Sequence, residues 1–149
     1  MNTTIYNLLL ADDDPDDCSF FKDALDELPL ATSLTTVNDG VQLMEFLSTN
    51  VSNKLPDMLF LDLNMPRKSG FECLAEIKQV DKLKHFPVVI FSTSLDMEVV
   101  DSLYEKGAAH YVQKPGDFSA LKKVIFEAVT ITAKDGFQQP SKEHFILQP

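Results

Sequence analysis

The chain has 149 residues, and its 13 basic and 23 acidic side chains give a formal net charge of −10 at pH 7. This acidic balance argues against nonspecific binding to nucleic acid or to an anionic membrane surface. The first residues are neither basic nor strongly apolar, so a signal peptide is not expected, and no apolar run is long enough to cross a bilayer. Cys18 and Cys73 lack the spacing of a metal or redox motif and are expected to be reduced and buried. These features predict a cytoplasmic protein of one domain.

Short apolar runs alternate with amphipathic stretches along the chain. Five runs have the length and composition of β-strands and cover residues 5–11, 34–37, 58–61, 88–91 and 110–113. Each is followed by apolar residues at helical spacing, which predicts helices that begin near Pro15, Val41, Gly70, Met97 and Phe118. Beyond residue 131 the pattern stops.

Five consecutive strand–helix units predict an α/β fold with a doubly wound parallel sheet, because right-handed crossovers place the helices against the sheet faces. The first, third and fourth strands are nearly unbroken apolar runs, as expected for strands covered on both faces. The second and fifth are shorter and more polar, so we place them at or near the edges. The expected architecture is flavodoxin-like, (βα)5 with strand order 2-1-3-4-5. It divides the chain into a domain over residues 1–131 and a C-terminal tail over 132–149.

Chemically reactive side chains follow four of the predicted strands. They are Asp12 and Asp13 after strand 1, Asp62 after strand 3, Ser92 after strand 4 and Lys114 after strand 5. Ligands of open α/β sheets bind beyond the carboxyl ends of the strands, where the strand order reverses. Clustered carboxylates repel one another and suit Mg²⁺, while a lysine and a hydroxyl group can hold a phosphate. The pattern predicts a magnesium-dependent phosphoryl site with Asp62 as the nucleophile.

Each of these residues also has a simpler structural interpretation when it is considered alone. Acidic residues at strand ends often cap helices, Ser92 could belong to a capping cluster, and Lys114 could be part of a loop. The functional interpretation depends on the conjunction, because four separate segments bring matching chemistry to one edge of the predicted sheet.

Several segments together resemble the receiver domain of bacterial two-component response regulators, of the chemotaxis-regulator type. The resemblance covers residues 5–131 and is carried by residues 8–14, 60–66 with Gly70, 87–92, 107–108 and 111–115. Residues 74–78, 83–87 and 92–94 are similar to the small single-domain regulators that are partners of phytochromes. The resemblance implies a phosphorelay protein that accepts a phosphoryl group from a sensor histidine kinase or a phosphotransfer protein. It would signal to an unknown downstream protein through a conformational change at its surface.

The resemblance also implies a role for each residue of the phosphoryl site. Asp62 is expected to be the phosphoacceptor. Ser92 and Lys114 are expected to bind the phosphoryl oxygens. Mg²⁺ is expected to be bound by Asp13 and Asp62 directly and by Asp12 through water.

Residues around this site receive further roles from the resemblance. Asn64 is expected to offer its backbone carbonyl to the metal. Tyr111 is expected to change rotamer with the state of Ser92. Asn64 and Ser94 are expected to flank the path of the water that hydrolyses the phosphoryl group. Family members often have a cis Lys–Pro bond, which is therefore expected between Lys114 and Pro115.

Two other functions stay open on sequence grounds. A phosphatase of the haloacid dehalogenase type would also use a strand-end aspartate, Mg²⁺ and a lysine. That family needs an acid two residues beyond the nucleophile, where this chain has Asn64, and a cap insertion that it lacks. A receiver-like module that binds partners without phosphorylation is the other alternative. The favoured interpretation is a switch that catalyses only its own phosphorylation and dephosphorylation and is not otherwise an enzyme.

The resemblance suggests a homodimer through the face formed by helix 4, strand 5 and helix 5. Tyr104, Tyr111 and Phe137 are the aromatic side chains expected on this face, and exposed aromatic residues often mark interfaces. His85 and His110 have no partners at ligand spacing and are expected at the surface.

Overall fold

The protein is described from a computed structural model that covers residues 4–132 and 138–149. Strands and helices alternate through most of it: β1 Ile5–Ala11, α1 Pro15–Asp26, β2 Ala31–Val37, α2 Gly40–Asn50, β3 Met58–Leu61, α3 Gly70–Gln79, β4 Val88–Ser92, α4 Met97–Glu105, β5 His110–Gln113 and α5 Phe118–Thr132. A 3₁₀ turn, Lys142–His144, and a sixth strand, β6 Ile146–Leu147, follow in the tail. No helix of these described segments is long and apolar enough to cross a membrane.

All six strands are parallel and lie in the order β2-β1-β3-β4-β5-β6. The predicted order of the first five strands is therefore confirmed. Apolar side chains pack on both faces of the sheet. One core contains Phe21 of α1 and Val124 of α5, and the other contains Leu43 of α2, Leu74 of α3 and Leu103 of α4. Helices α1 and α5 thus cover one face, and α2, α3 and α4 cover the other.

A side chain caps the N-terminus of each of the five helices, close to the predicted helix starts. The Asp14 carboxylate accepts a hydrogen bond from the Asp16 N–H at 2.9 Å, and Pro15 occupies the first helical position of α1. Ser69 and Glu72 form a reciprocal capping box at the start of α3. The Asp117 carboxylate accepts from the Ala120 N–H at 2.9 Å at the start of α5. Each cap fixes where a helix starts, directly after the loop that follows a strand.

Strand 5 lies near an edge of the sheet, as predicted, but the edge itself is β6, which the sequence did not predict and which pairs with β5. The backbone N–H of Tyr111 donates to the Phe145 carbonyl at 3.0 Å. The Phe145 side chain is buried and contacts the Tyr104 ring edge to face, with centroids 5.1 Å apart. Sequence reasoning could not find β6, because a two-residue strand carries no periodicity.

The expectation that His110 lies at the surface is wrong, because the tail covers it. His110 is buried, and its Nδ1 lies 3.2 Å from the Phe145 carbonyl oxygen, which can only accept a hydrogen bond. The proton of the neutral ring is therefore on Nδ1. Burial lowers the pKa of His110, and the hydrogen bond to Phe145 offsets this only in part. His85 is exposed, as expected.

Candidate functional site

The acidic residues that follow β1 and β3 lie side by side at one edge of the sheet. Sheet-type hydrogen bonds continue just past both strands: the Asp12 N–H donates to the Val37 carbonyl at 3.1 Å, and the Asp62 N–H donates to the Ala11 carbonyl at 3.0 Å. Carboxylate oxygens of Asp12, Asp13 and Asp62 all lie within 4.8 Å of one another. The predicted cluster of these three residues is thus present, because parallel neighbours end at the same edge.

Gly70 allows α3 to begin directly against the end of β3. A Cβ atom built at this position would collide with the backbone carbonyl oxygen of Asp62. The Gly70 N–H also donates to the Leu63 carbonyl at 2.9 Å. Only glycine permits this approach, so the loop from Asp62 to α3 is held close to the acidic cluster.

Lys114 crosses from β5 to the acidic cluster. Its ammonium group donates to Asp12 at 2.8 Å and to Asp17 at 2.9 Å, and it lies 3.5 Å from an Asp62 oxygen. The Lys114 backbone N–H donates to the Ser92 carbonyl at 2.7 Å, which fixes the start of this loop to the end of β4. Every peptide bond between described residues is trans, so the expected cis bond at Lys114–Pro115 is wrong.

The charge of Lys114 is stabilised by its carboxylate partners. Burial by itself lowers the pKa of the Lys114 ammonium group, whose side chain is only 10% exposed. The hydrogen bonds to Asp12 and Asp17 and the charge of Asp62 outweigh that effect, so the net pKa is raised. Lys114 is therefore a cation at neutral pH.

Asp62 is in the opposite situation. Its carboxylate is buried, and the Lys114 ammonium group lies 3.5 Å away, farther than from Asp12 or Asp17. Burial is the main cause that raises the pKa of Asp62 to about 6. Attraction to Lys114 lowers this pKa, while repulsion from Asp12 raises it. The nearest backbone donor is the Asn64 N–H, at 3.4 Å from Asp62 Oδ1. A carboxylate held in this way is stabilised by any further positive charge that comes next to it.

The three carboxylates fit a divalent cation. They offer hard oxygen ligands close enough to share one ion, and Asp13 is exposed while Asp12 and Asp62 are buried. The Asp12 carboxylate is held from both sides, by the Asp14 N–H at 3.0 Å on one oxygen and by Lys114 on the other. The Asn64 side chain is exposed beside the cluster.

Ser92, Ser94 and Tyr111 form a second group at the end of β4. Ser92 is buried, and its hydroxyl oxygen lies 3.4 Å from both the hydroxyl oxygen and the backbone nitrogen of Ser94. The Tyr111 ring is fully buried, and its hydroxyl donates to the Ser94 carbonyl at 2.6 Å. Tyr111 thereby connects β5 to the loop after Ser92, and its expected change of rotamer stays a prediction.

The predicted dimer face is partly covered by the tail of the same chain. Tyr111 is buried, and Tyr104 is half-buried with its hydroxyl donating to the Pro140 carbonyl at 2.9 Å. The Lys142 ammonium group forms an ion pair with Asp101 of α4 at 3.2 Å. Phe137, the third aromatic residue expected on this face, lies outside the described residues.

Sequence reasoning missed Asp17 as a member of the site. Asp17 lies in the first turn of α1, four residues after Asp13, and α1 begins shortly after the end of β1, where the acidic cluster lies. That spacing is a weak signal, because acidic residues in a first helical turn usually serve the helix dipole. Cys18 follows it, and burial raises the pKa of the Cys18 thiol to about 11, so the thiol is not a nucleophile at neutral pH.

Comparison with known proteins agrees with this geometry. Residues 8–126 match the family model of the response regulator receiver domain. Response regulator Rcp1 of Synechocystis sp. is 32% identical over 136 residues, which cover 85% of this chain and 92% of Rcp1. The chain is also similar to the crystal structure of the phosphorylated cyanobacterial phytochrome response regulator RcpA, with a TM-score of 0.77 and 30% identity over 93% of this chain and 100% of that one.

A structure described as the Mn²⁺-bound form of Rcp1 matches with a TM-score of 0.76 and 29% identity, over 91% of this chain and 99% of that one. These matches extend over nearly the whole chain and include the strand ends that carry the acidic cluster and Lys114. The chain therefore belongs to the response regulator receiver domains of two-component signalling, a family that typically accepts a phosphoryl group on an aspartate.

Proposed function

We propose that Asp62 is the phosphoacceptor of this receiver domain and that Lys114 and Ser92 bind the transferred phosphoryl group. The observation that carries the proposal is the position of Lys114, whose ammonium group lies 3.5 Å from Asp62 while two other carboxylates hold it. Asp62 follows β3, an interior strand of the sheet, and burial raises its pKa to about 6. A buried carboxylate beside a fixed cation is suited to act as a nucleophile toward an anionic phosphoryl group.

In the proposed reaction a carboxylate oxygen of Asp62 forms a bond to phosphorus while the bond from phosphorus to the donor histidine nitrogen breaks. The imidazole leaves with the bonding electron pair and takes up a proton. Lys114 neutralises one phosphoryl oxygen, and the Ser92 hydroxyl donates a hydrogen bond to another. When bound by Asp13 and Asp62, with Asp12 through water and the Asn64 carbonyl, a divalent cation supplies charge neutralisation for the same group.

The phosphodonor would be a sensor histidine kinase or a phosphotransfer protein. The signal would pass to a downstream protein whose identity the chain does not reveal. Receiver domains bind a divalent metal, and we propose Mg²⁺ as the ion here, since one or two carboxylates with waters and a phosphate are its usual ligands. The similarity to Rcp1 and RcpA supports a single-domain regulator in a phosphorelay. Location in the cytoplasm stays a prediction.

Mass spectrometry of the intact protein after incubation with acetyl phosphate and Mg²⁺ tests the proposal. We expect the mass of one added phosphoryl group in the wild type and none in Asp62→Asn, whose amide is isosteric but a far poorer nucleophile. An adduct that forms at the wild-type rate in Asp62→Asn would show that another residue is the acceptor. Continuous turnover of the donor would instead favour a haloacid dehalogenase-type phosphatase, and a wild type without adduct would favour a module that binds partners unphosphorylated.

A homodimer through α4, β5 and α5 also stays a proposal. It is supported by the family resemblance, although Tyr111 is buried and Tyr104 already contacts the tail of the same chain through Pro140 and Phe145. Residues 138–149 would then belong to the dimer face in place of the two tyrosines. Sedimentation equilibrium with and without phosphorylation tests this, and a monomer at high concentration in both states would exclude the dimer.

A further inference from the structure

Asp17 is, besides Asp12, a second close partner of the Lys114 ammonium group. The Lys114–Asp17 hydrogen bond is 2.9 Å long, as short as the bond to Asp12, whereas Asp62 lies at 3.5 Å. An ammonium group has three hydrogens, and two of them are used by Asp12 and Asp17. The resting position of Lys114 is therefore determined by α1 and β1 more than by Asp62.

We propose that Asp17 is a positioning residue that restrains Lys114 in the resting state and thereby slows phosphorylation. This inference rests on the proposed role of Asp62 and Lys114 in phosphoryl transfer. A phosphoryl group on Asp62 needs Lys114 as a close partner, so the ammonium group has to give up part of its present contacts. Asp12 keeps its hydrogen bond from the Asp14 N–H at 3.0 Å and belongs to the cation cluster, so Asp17 is the partner that Lys114 releases.

Charge acts in the same direction as the hydrogen bond. Asp12, Asp13 and Asp62 carry three negative charges, which one divalent cation and Lys114 balance. Asp17 adds a further negative charge 2.9 Å from Lys114. Removal of this charge should therefore favour both the approach of the donor and the movement of Lys114 toward Asp62.

Asp16 provides a matched control in the same helical turn. Asp16 and Asp17 are both acidic residues of the first turn of α1, so both interact with the helix dipole. Asp16 is exposed, and among the ion pairs between described residues only Asp17 reaches Lys114 from this helix. Asp16→Asn and Asp17→Asn change the net charge equally, and only the second removes the contact with Lys114.

The test compares the rates of phosphorylation by acetyl phosphate in saturating Mg²⁺. We expect Asp17→Asn to react about fivefold faster than the wild type, the factor that corresponds to about 1 kcal/mol for a partly exposed ionic contact. Asp17→Glu keeps the charge and should restore a rate near that of the wild type, and Asp16→Asn should stay within about twofold of it. Slower reaction of Asp17→Asn, or an equal increase in Asp16→Asn, would overturn the inference.

A second measurement does not depend on phosphorylation. In nitrogen-15 NMR spectra of the side-chain ammonium groups, Asp17→Asn should shift the Lys114 resonance and speed its hydrogen exchange, whereas Asp16→Asn should leave both unchanged. An unchanged Lys114 resonance in Asp17→Asn would show that the contact is absent in solution. If Asp62→Asn still forms the phosphoryl adduct, the proposed acceptor fails. If Asp62→Asn is inert and Asp17→Asn reacts like the wild type, only the role of Asp17 fails.

Discussion

The buried charge of Asp62 should destabilise the metal-free protein, so Asp62→Asn should be more stable than the wild type at neutral pH. The pKa of Asp62 rises from 3.8 to about 6, mainly through burial. This change corresponds to a cost of about 3 kcal/mol once the group is ionised, at 1.36 kcal/mol per pKa unit. This cost of about 3 kcal/mol already includes the attraction of Asp62 to Lys114, because the pKa of about 6 is the net result of all these effects. The asparagine amide carries no charge and fills the same space, so the variant avoids this cost.

The sign of the pH dependence follows from proton binding. Between about pH 4 and pH 6 the native state holds a proton on Asp62 that the unfolded state has lost, so the contribution of Asp62 to the stability of the wild type falls as the pH rises through this range. The advantage of Asp62→Asn should therefore be only about 0.5 kcal/mol at pH 4. It should reach about 2–3 kcal/mol by pH 7.5. Well below pH 4 both states of the wild type hold the proton, and the cost disappears.

Urea denaturation in the presence of a chelator measures this difference at pH 4 and at pH 7.5. Asp23→Asn, an exposed substitution in the middle of α1, serves as the charge control and should change the free energy of unfolding by no more than about 0.5 kcal/mol. Saturating Mg²⁺ should stabilise the wild type more than Asp62→Asn, because the cation binds the native carboxylates. A difference that is the same at both pH values, or a variant no more stable than the wild type at pH 7.5, would refute the reasoning.

Other substitutions test the metal site, the lifetime of the phosphoryl group and the tail. Asp13→Ala should weaken Mg²⁺ binding about tenfold or more in a calorimetric titration, since even outer partners of metal ligands contribute that much; unchanged affinity would remove Asp13 from the ligand set. Ser94→Leu should slow the release of phosphate after the donor is removed, because a large apolar side chain blocks the path of water; equal rates would show that access at this position is not limiting. Phe145→Ala should lower the free energy of unfolding by about 3 kcal/mol or more, because the ring is buried. Phe126→Ala, the control, removes a side chain that is 37% exposed and should lower the free energy of unfolding clearly less. Equal losses of unfolding free energy in the two variants would show that the tail does not contribute to the core.

Local sequence determined the repeated strand–helix units and therefore the order of the first five strands. The third and fifth strands begin and end where the sequence predicts, at Met58–Leu61 and His110–Gln113. Polar residues bound the third run on both sides, and Lys114–Pro115 ends the fifth. β2 is three residues longer than predicted and begins at Ala31. Its additional residues include polar Thr32 and Ser33, which an edge strand tolerates because one side faces solvent.

The acidic cluster could also be predicted from sequence, because it depends only on which residue follows each strand. Parallel strands end at one edge of the sheet, so Asp12, Asp13 and Asp62 had to meet once the strand order was known. Tertiary structure decided which carboxylates Lys114 binds. It added Asp17 to the site, although Asp17 lies 97 positions before Lys114 in the sequence.

The tail was likewise beyond sequence reasoning. Burial of His110 and the position of β6 depend on Phe145, which lies 35 residues after His110 and belongs to no periodic pattern. Local patterns report which side of an element is apolar, whereas contacts between distant segments depend on how the whole chain packs. The sequence by itself thus determined the sheet and the residues at its edge, and only the packed structure decided what surrounds Lys114 and what covers β5.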